Sequence, residues 1–361
     1  MVLYHAVSSY QLLEVTLHRL LKHPGEDAVL ILPDFIRQKY PHYRRLQTRG
    51  FFRKVELFPY LEIPHTRERE IFHQTRRQVL QLFPRGLKDF SEIYVAGSHF
   101  YFSLYLVMEQ QPFTMFEDAA GMLSQPDKLY VPLRGRYPLH AQLAEKYGLF
   151  DGSCPMIKRI IYLKKAQEVT QFTGMKEMLG NKILEDFSVE NALEQITDRE
   201  RRGLIHLFLS HRIWTRADTI LLTQQLARLG FSSIRGQQEA YRRLWEEHLK
   251  GRRVIVKPHP DDTLDYQKLL PGCRILRPVF PAELLPYVFY QRPETVCTFD
   301  STSCANLEGH FKIEKIGRSF YERSQNPDYC KFSLSAADGS AYEERAFPGN
   351  SLGSGGNRCD P

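Results

Sequence analysis

The chain has 361 residues, 42% of them hydrophobic and 25% charged, which excludes a wholly disordered protein and predicts two domains rather than one. Lys and Arg number 49 against 42 Asp and Glu, a net charge of +7. That surplus suits an anionic partner but does not choose among a nucleotide, a polyanionic substrate, a nucleic acid and an acidic membrane face.

In chain order, residues 1–7 read as an apolar strand, and Ser8-Ser9 offers an N-cap for a helix over 10–21 that His23-Pro24-Gly25 stops. Strands follow at 28–32, 52–58, 93–96 and 112–116, with helices at 67–82 and 100–109. From 156 to 209 the sequence becomes long, charged and helical, including Lys164-Lys165 and Arg199-Glu200-Arg201-Arg202; a solvated connector is the plain expectation. A second series then predicts strands at 219–223, 253–256 and 295–299, with helices at 238–249, 264–270 and 282–287. Short apolar strands alternating with helices specify an α/β fold of parallel βαβ units. The expected domains are 1–160, a helical connector 161–210, a second α/β domain 211–335 and a flexible tail 336–361 rich in Gly, Ser, Asp and Asn.

The six cysteines form no C-x-x-C pair and lack histidine partners at zinc-finger spacing, so no metal site is expected and reduced thiols are. The N-terminus lacks a basic segment followed by a long apolar one, and no run approaches the ~18–20 apolar residues of a membrane span. The expected location is cytoplasmic.

Four segments carry chemistry. Residues 254–261, VIVKPHPD, end a β-branched strand in Lys257-Pro258-His259-Pro260. Two prolines restrict the backbone on either side of the imidazole at the strand edge where α/β sheets bind ligands. Imidazole and ammonium two residues apart suit a phosphate, although a rigid polar turn is the plain alternative. Residues 296–303, VCTFDSTS, break an apolar strand into Ser301, Thr302 and Ser303, a hydroxyl cluster at an expected helix start that either caps the helix or binds phosphate. Glu283 follows Pro281 at another helix start, where a carboxylate completes the cap or accepts ribose hydroxyls. Residues 113–121, FTMFEDAAG, run from a strand into Glu117 and Asp118; one carboxyl of such a pair is a candidate general base with a raised pKa, unless the pair is an ordinary acidic turn.

Taken in order, Glu117-Asp118, His259-Pro260 and Ser301-Thr302-Ser303 resemble the three motifs of bacterial sialyltransferases of the GT-B fold, the polysialyltransferase and lipooligosaccharide sialyltransferase group. Residues 4–13, YHAVSSYQLL, and 220–224, ILLTQ, also resemble segments of that group, so the likeness runs to about residue 310. It implies two Rossmann-like domains facing a cleft, CMP-sialic acid as donor, a surface-glycan acceptor, no cofactor or metal, and inversion at the anomeric carbon. Carried over by position, Asp118 is the base with Glu117 beside it, and His259 holds or protonates the departing phosphate. Lys257, Pro260, Thr223, Gln224, Ser301, Thr302, Ser303 and Glu283 serve the donor nucleotide, Glu283 at its ribose; Ser8, Ser9 and Gly97 fall on the acceptor side. Peripheral membrane association and a homodimer are compatible with the likeness, and nucleic acid is not expected.

The glycine expected after the acidic pair is Ala119, with Gly121 two places on, and residues 226–230, LARLG, hold no alternative carboxylate. Three other functions share the same residues: a CDP-glycerol glycerophosphotransferase, a CMP-Kdo transferase, and a non-catalytic nucleotide- or glycan-binding GT-B protein.

Overall fold

The computed structural model describes residues 1–118, 123, 127–163, 180, 182–228, 230–317 and 320–321. Ala119, Ala120, Gly121, Lys164, Lys165 and Leu229, the side chain of Thr302 and the tail therefore lie outside the described residues.

Among the described residues the strands form two all-parallel sheets. The first contains β1 (Val2–His5), β2 (Ala28–Pro33), β3 (Lys54–Phe58), β4 (Glu92–Val95), β5 (Phe113–Phe116), β6 (Ile157–Tyr162) and β7 (Ile183–Asp186), in the order β3-β2-β1-β4-β5-β6-β7. The second contains β8 (Thr219–Leu222), β9 (Val254–Lys257), β10 (Arg274–Ile275), β11 (Thr295–Thr298) and β12 (Lys312–Lys315), in the order β10-β9-β8-β11-β12. Each sheet winds outward from its first strand, then restarts on that strand's other side. Val2 of β1 stands opposite both Ala28 and Glu92, and Thr219 of β8 opposite both Val254 and Thr295. The reversal opens a crevice at the carboxyl ends of β1 and β4, and another at the ends of β8 and β11.

The central strands are buried along their whole length, which is why they read as unbroken apolar runs. Helix α1 (Ser9–Lys22) begins as expected: the Ser8 hydroxyl accepts the Gln11 N–H at 3.2 Å. Its residues from Gln11 to His18 are all buried between the sheet and the helix Val189–Gln195. That helix follows β7, and the next, Asp198–Phe208, starts with a capping box between Thr197 and Glu200. Both contribute to one apolar cluster joining Leu12 and Leu30 of the first half to Ile220, Leu285 and Val288 of the second.

Strands β6 and β7 occupy 157–162 and 183–186, in the stretch expected to be mainly helical, and extend the first sheet there. Helices at Asp127–Arg136 and Pro138–Lys146 and the edge strand β12 were also not anticipated. The helix expected at 282–287 is a 3-10 turn, Ala282–Leu284, followed by a single α-turn, Leu285–Val288. Residues 302–306, expected to open a helix, form a five-residue 3-10 turn. With so short a turn, no macrodipole builds up behind the Ser301–Ser303 hydroxyls. Among the described residues no helix is long and apolar enough to cross a membrane. Cys154, Cys273, Cys297 and Cys304 are buried free thiols.

Candidate active site at the two crevices

In the first crevice, β1 runs into Val7-Ser8 and β4 into Gly97-Ser98-His99. The two strand ends touch closely: a Cβ added at Gly97 would lie 2.6 Å from Val7 Cγ2, and its φ of +75° is left-handed. Only glycine satisfies both demands. Gln11, three residues into α1, bridges the crevice, since its Oε1 accepts the Val7 N–H at 2.9 Å and its Nε2 donates to Asp118 Oδ1 at 2.6 Å. These bonds fix which way the amide faces. Ser8 is exposed and caps α1, and Ser9 is its first residue.

The two adjacent carboxyls have separate environments. Glu117 is fully buried; one oxygen accepts the Leu123 N–H and the other the Leu163 N–H, each at 3.0 Å, so it pins the strand-end loops. Asp118 keeps 20% of its side chain exposed. Burial pushes its pKa up to about 6, against the Gln11 hydrogen bond, which favours the ionised form. His99 Nδ1 stands 4.0 Å away, too far for a hydrogen bond, and burial lowers its pKa to about 4, leaving it neutral. One turn beyond Gln11, Glu14 is wholly buried, and neither carboxyl oxygen has a hydrogen-bond partner among the described residues. Burial first, then the charges of Asp118 and Glu117, hold its pKa well above the usual carboxylate range.

In the second crevice, β8 ends in Thr223-Gln224, which hold the neighbouring loops. Thr223 Oγ1 accepts the His259 N–H at 3.0 Å and donates to Asp262 at 3.1 Å. Gln224 Oε1 accepts the Asp300 N–H at 2.9 Å, tying down the loop that carries Ser301 and Ser303. His259 Nδ1 accepts the Asp261 N–H at 3.1 Å, so the neutral ring carries its proton on Nε2 and presents it as a donor. Pro260 is exposed at the same turn. Ser301 and Ser303 are half-buried, and their hydroxyls make no hydrogen bond within the described residues.

Lys257 and Glu283 lie deeper, 6% and 5% exposed. The Lys257 ammonium sits 4.6 Å above the Phe280 ring; burial lowers its pKa to about 8, and the Glu283 charge opposes that fall. Burial raises the Glu283 pKa, while an Asn306 amide donating to it at 3.3 Å and Lys257 pull the other way. Tyr10 of α1 feels charges from both crevices. Burial raises its hydroxyl pKa well above normal, reinforced by Glu283 of the second half and by Glu14, Glu117 and Asp118 of the first. The structure thus gathers Asp118, Gln11, Glu14 and His99 on one side and His259, Thr223, Gln224, Asp300, Lys257 and Glu283 on the other.

Tyr10, Gln11, Glu14, His99 and Asn306 were not singled out from sequence. One signal was available: Gln11 and Glu14 are polar residues at positions where the helical period of α1 demands core. Among the described residues no three His, Cys, Asp or Glu side chains converge as a metal site.

No protein-family model and no curated protein matches the chain. Among solved structures it is similar to Arabidopsis thaliana UGT89C1 complexed with UDP-L-rhamnose, with a TM-score of 0.50 and 9% identity over 93% of this chain and 89% of that one. It is likewise similar to the Methanocaldococcus jannaschii UDP-GlcNAc 2-epimerase in complex with UDP-GlcNAc and UDP, with a TM-score of 0.51 and 11% identity over 90% and 91%. With its two parallel sheets, the chain has a GT-B-like fold. A fold shared with an epimerase does not assign a reaction.

Proposed function

We propose that the protein is an inverting glycosyltransferase that moves a sialic acid from CMP-sialic acid to a hydroxyl of a glycan acceptor, with no metal in the reaction. One observation carries this reading: one crevice ends in a partly open carboxyl with a pKa raised to about 6, and the other gathers imidazole, hydroxyl and ammonium donors. The solved structures of similar fold bind UDP-linked sugars, which supports a nucleotide-sugar donor in general. The order of the motifs, acidic pair, His-Pro, then serines, supports CMP-sialic acid in particular.

In this mechanism Asp118 accepts the proton of the acceptor hydroxyl as its oxygen bonds to the anomeric carbon. The bond to CMP breaks on the opposite face, and its electron pair stays on the phosphate oxygen. His259 Nε2–H donates to that oxygen, and the Ser301 and Ser303 hydroxyls, with Lys257 behind them, share the charge. Glu283 takes the ribose hydroxyls after exchanging Asn306 for them. Thr223 and Gln224 act as latches that aim His259 and the serine loop.

The test is CMP release and product formation from CMP-sialic acid with an oligosaccharide acceptor, beside CMP-Kdo and CDP-glycerol. Turnover of CMP-sialic acid that collapses in Asp118→Asn and His259→Ala is the expected result. Turnover of CDP-glycerol or CMP-Kdo instead would move the protein to those transferases. CMP binding without turnover of any donor would make it a binding protein.

A further inference from the structure

A second surface lies away from both crevices, at the entry to the second sheet. Residues 210–218 link the helix Asp198–Phe208 to β8, and their middle is extended: the Ile213 N–H donates to Val288 O at 2.7 Å and the Tyr290 N–H to Ile213 O at 3.1 Å. In an extended segment alternate side chains face opposite ways. Ile213 and Thr215 are buried, while Arg212, Trp214 and Arg216 all point outward. The neighbouring Tyr290 also projects, so that Trp214 and Tyr290 are 63% and 60% exposed. The Arg212 guanidinium lies 5.1 Å over the Tyr290 ring and also donates to Phe289 O. From edge strand β10, Arg274 donates to Trp214 O, whereas Arg292, two residues after Tyr290, lies 5.4 Å over the Phe311 ring.

Many exposed arginines are paired, such as Arg53 with Asp27, Arg76 with Glu109 and Arg85 with Asp89. Arg212, Arg216 and Arg274 make no ion pair among the described residues. Unpaired exposed arginines, among the described residues, also stand elsewhere, such as Arg69, Arg77 and Arg235; what marks this patch is that its unpaired arginines lie beside two exposed rings. Of the carboxylates at the border, Asp218 is engaged by Arg253, which leaves Glu294. Two large amphipathic rings thus stand among three guanidiniums without an ion pair among the described residues.

We propose that Trp214, Tyr290 and the arginines 212, 216 and 274 form a docking surface for an anionic lipid bilayer. A flat, anionic, interfacial partner satisfies both halves of the patch. Trp and Tyr rings settle at the headgroup level with their apolar body inward and polar edge wet, while arginines lie against phosphates and carboxylates. The proposal does not depend on the glycosyl-transfer chemistry.

The experiment is flotation of the full chain with vesicles of phosphatidylcholine alone and of phosphatidylcholine with phosphatidylglycerol in equal parts. The chain is expected to float with the anionic vesicles only, less so at high salt. In a Trp245→Phe background Trp214 is the single tryptophan, and its emission is expected to shift to the blue on binding. The triple variant Trp214→Ser, Tyr290→Ser, Arg216→Gln changes only exposed side chains, so its melting temperature should match the parent while its partitioning falls by about a hundredfold. Failure to float, or floating equally well in the triple variant, overturns the proposal. So does a parent dimer that the variant loses, which would assign the surface to a second copy of the chain, or equal binding to single-stranded DNA.

Discussion

The two crevices are built on the same strand order yet carry different chemistry. At the end of β1 the crevice collects carboxyls: Glu117 satisfied by two backbone N–H groups, Glu14 satisfied by none, Asp118 held by one amide and partly open. At the end of β8 it collects His259, two serine hydroxyls with no hydrogen bond among the described residues, and a buried ammonium beside the carboxyl of Glu283. The same burial acts on both with opposite outcomes, raising the acids and lowering the base. Both shifts bring groups towards neutral pH, where one can take a proton and the other can lose its charge. Topology supplies two equivalent crevices, and side-chain chemistry gives one a partly open carboxyl and the other a set of hydrogen-bond donors.

The largest blow to this contrast is Asp118→Asn. With CMP-sialic acid, turnover is expected to fall by about 10²–10⁴. Thermal stability at neutral pH should hold or rise, because the substitution removes a charge that burial disfavours. Loss of folding together with activity would instead make Asp118 structural. Gly97→Ala attacks the geometry of the first crevice rather than its charge. The left-handed φ and the clash with Val7 should together cost about 2–5 kcal/mol in denaturant unfolding, and a normal midpoint would mean that the strand ends can part.

Glu14→Gln probes the unsatisfied acid. Burial holds the folded-state pKa of Glu14 well above the ordinary carboxylate value of 4.5, so the folded protein binds the extra proton and loses stability as pH rises beyond that value. The glutamine variant escapes this loss. Its stability relative to the parent should climb with pH, by at most ~1.4 kcal/mol per unit, whereas a pH-independent difference would place a counter-charge beside Glu14. The smallest effects are in the pH profile of transfer. Activity should rise as Asp118 ionises near pH 6 and decline as Lys257 loses its proton near pH 8. Gln11→Leu should move the acid limb upward, because the lost hydrogen bond favoured the carboxylate, and an unmoved limb would detach Gln11 from the base.

The legible part of the fold was its interior. β1, β2, β8, β9 and β11 are buried along nearly all their length and appear as apolar runs, so their alternation with helices was enough for an α/β assignment. The edges were hidden for the reciprocal reason. β7 is ILED and β12 is KIEK, both half-exposed and charged as sheet edges are, and neither carries an apolar signal. In the site, residues at strand ends were legible because strand ends can be counted; His259 and Asp118 lie in the two crevices. Gln11, Glu14 and Tyr10 act from the first turns of a helix whose neighbours only the three-dimensional packing brings together. The roles of Thr223 and Gln224 as loop latches depend on hydrogen bonds across 36 and 76 residues of sequence, a range no local pattern reports.

The apolar cluster that runs from Leu12 and Leu30 through Leu204 and Phe208 to Leu285 and Val288 has a consequence for how the molecule comes apart. Neither half owns this cluster, so cutting the chain near residue 210 would leave each fragment with a bare oily face. The molecule should melt in a single cooperative transition, and its halves should fail to refold when expressed separately.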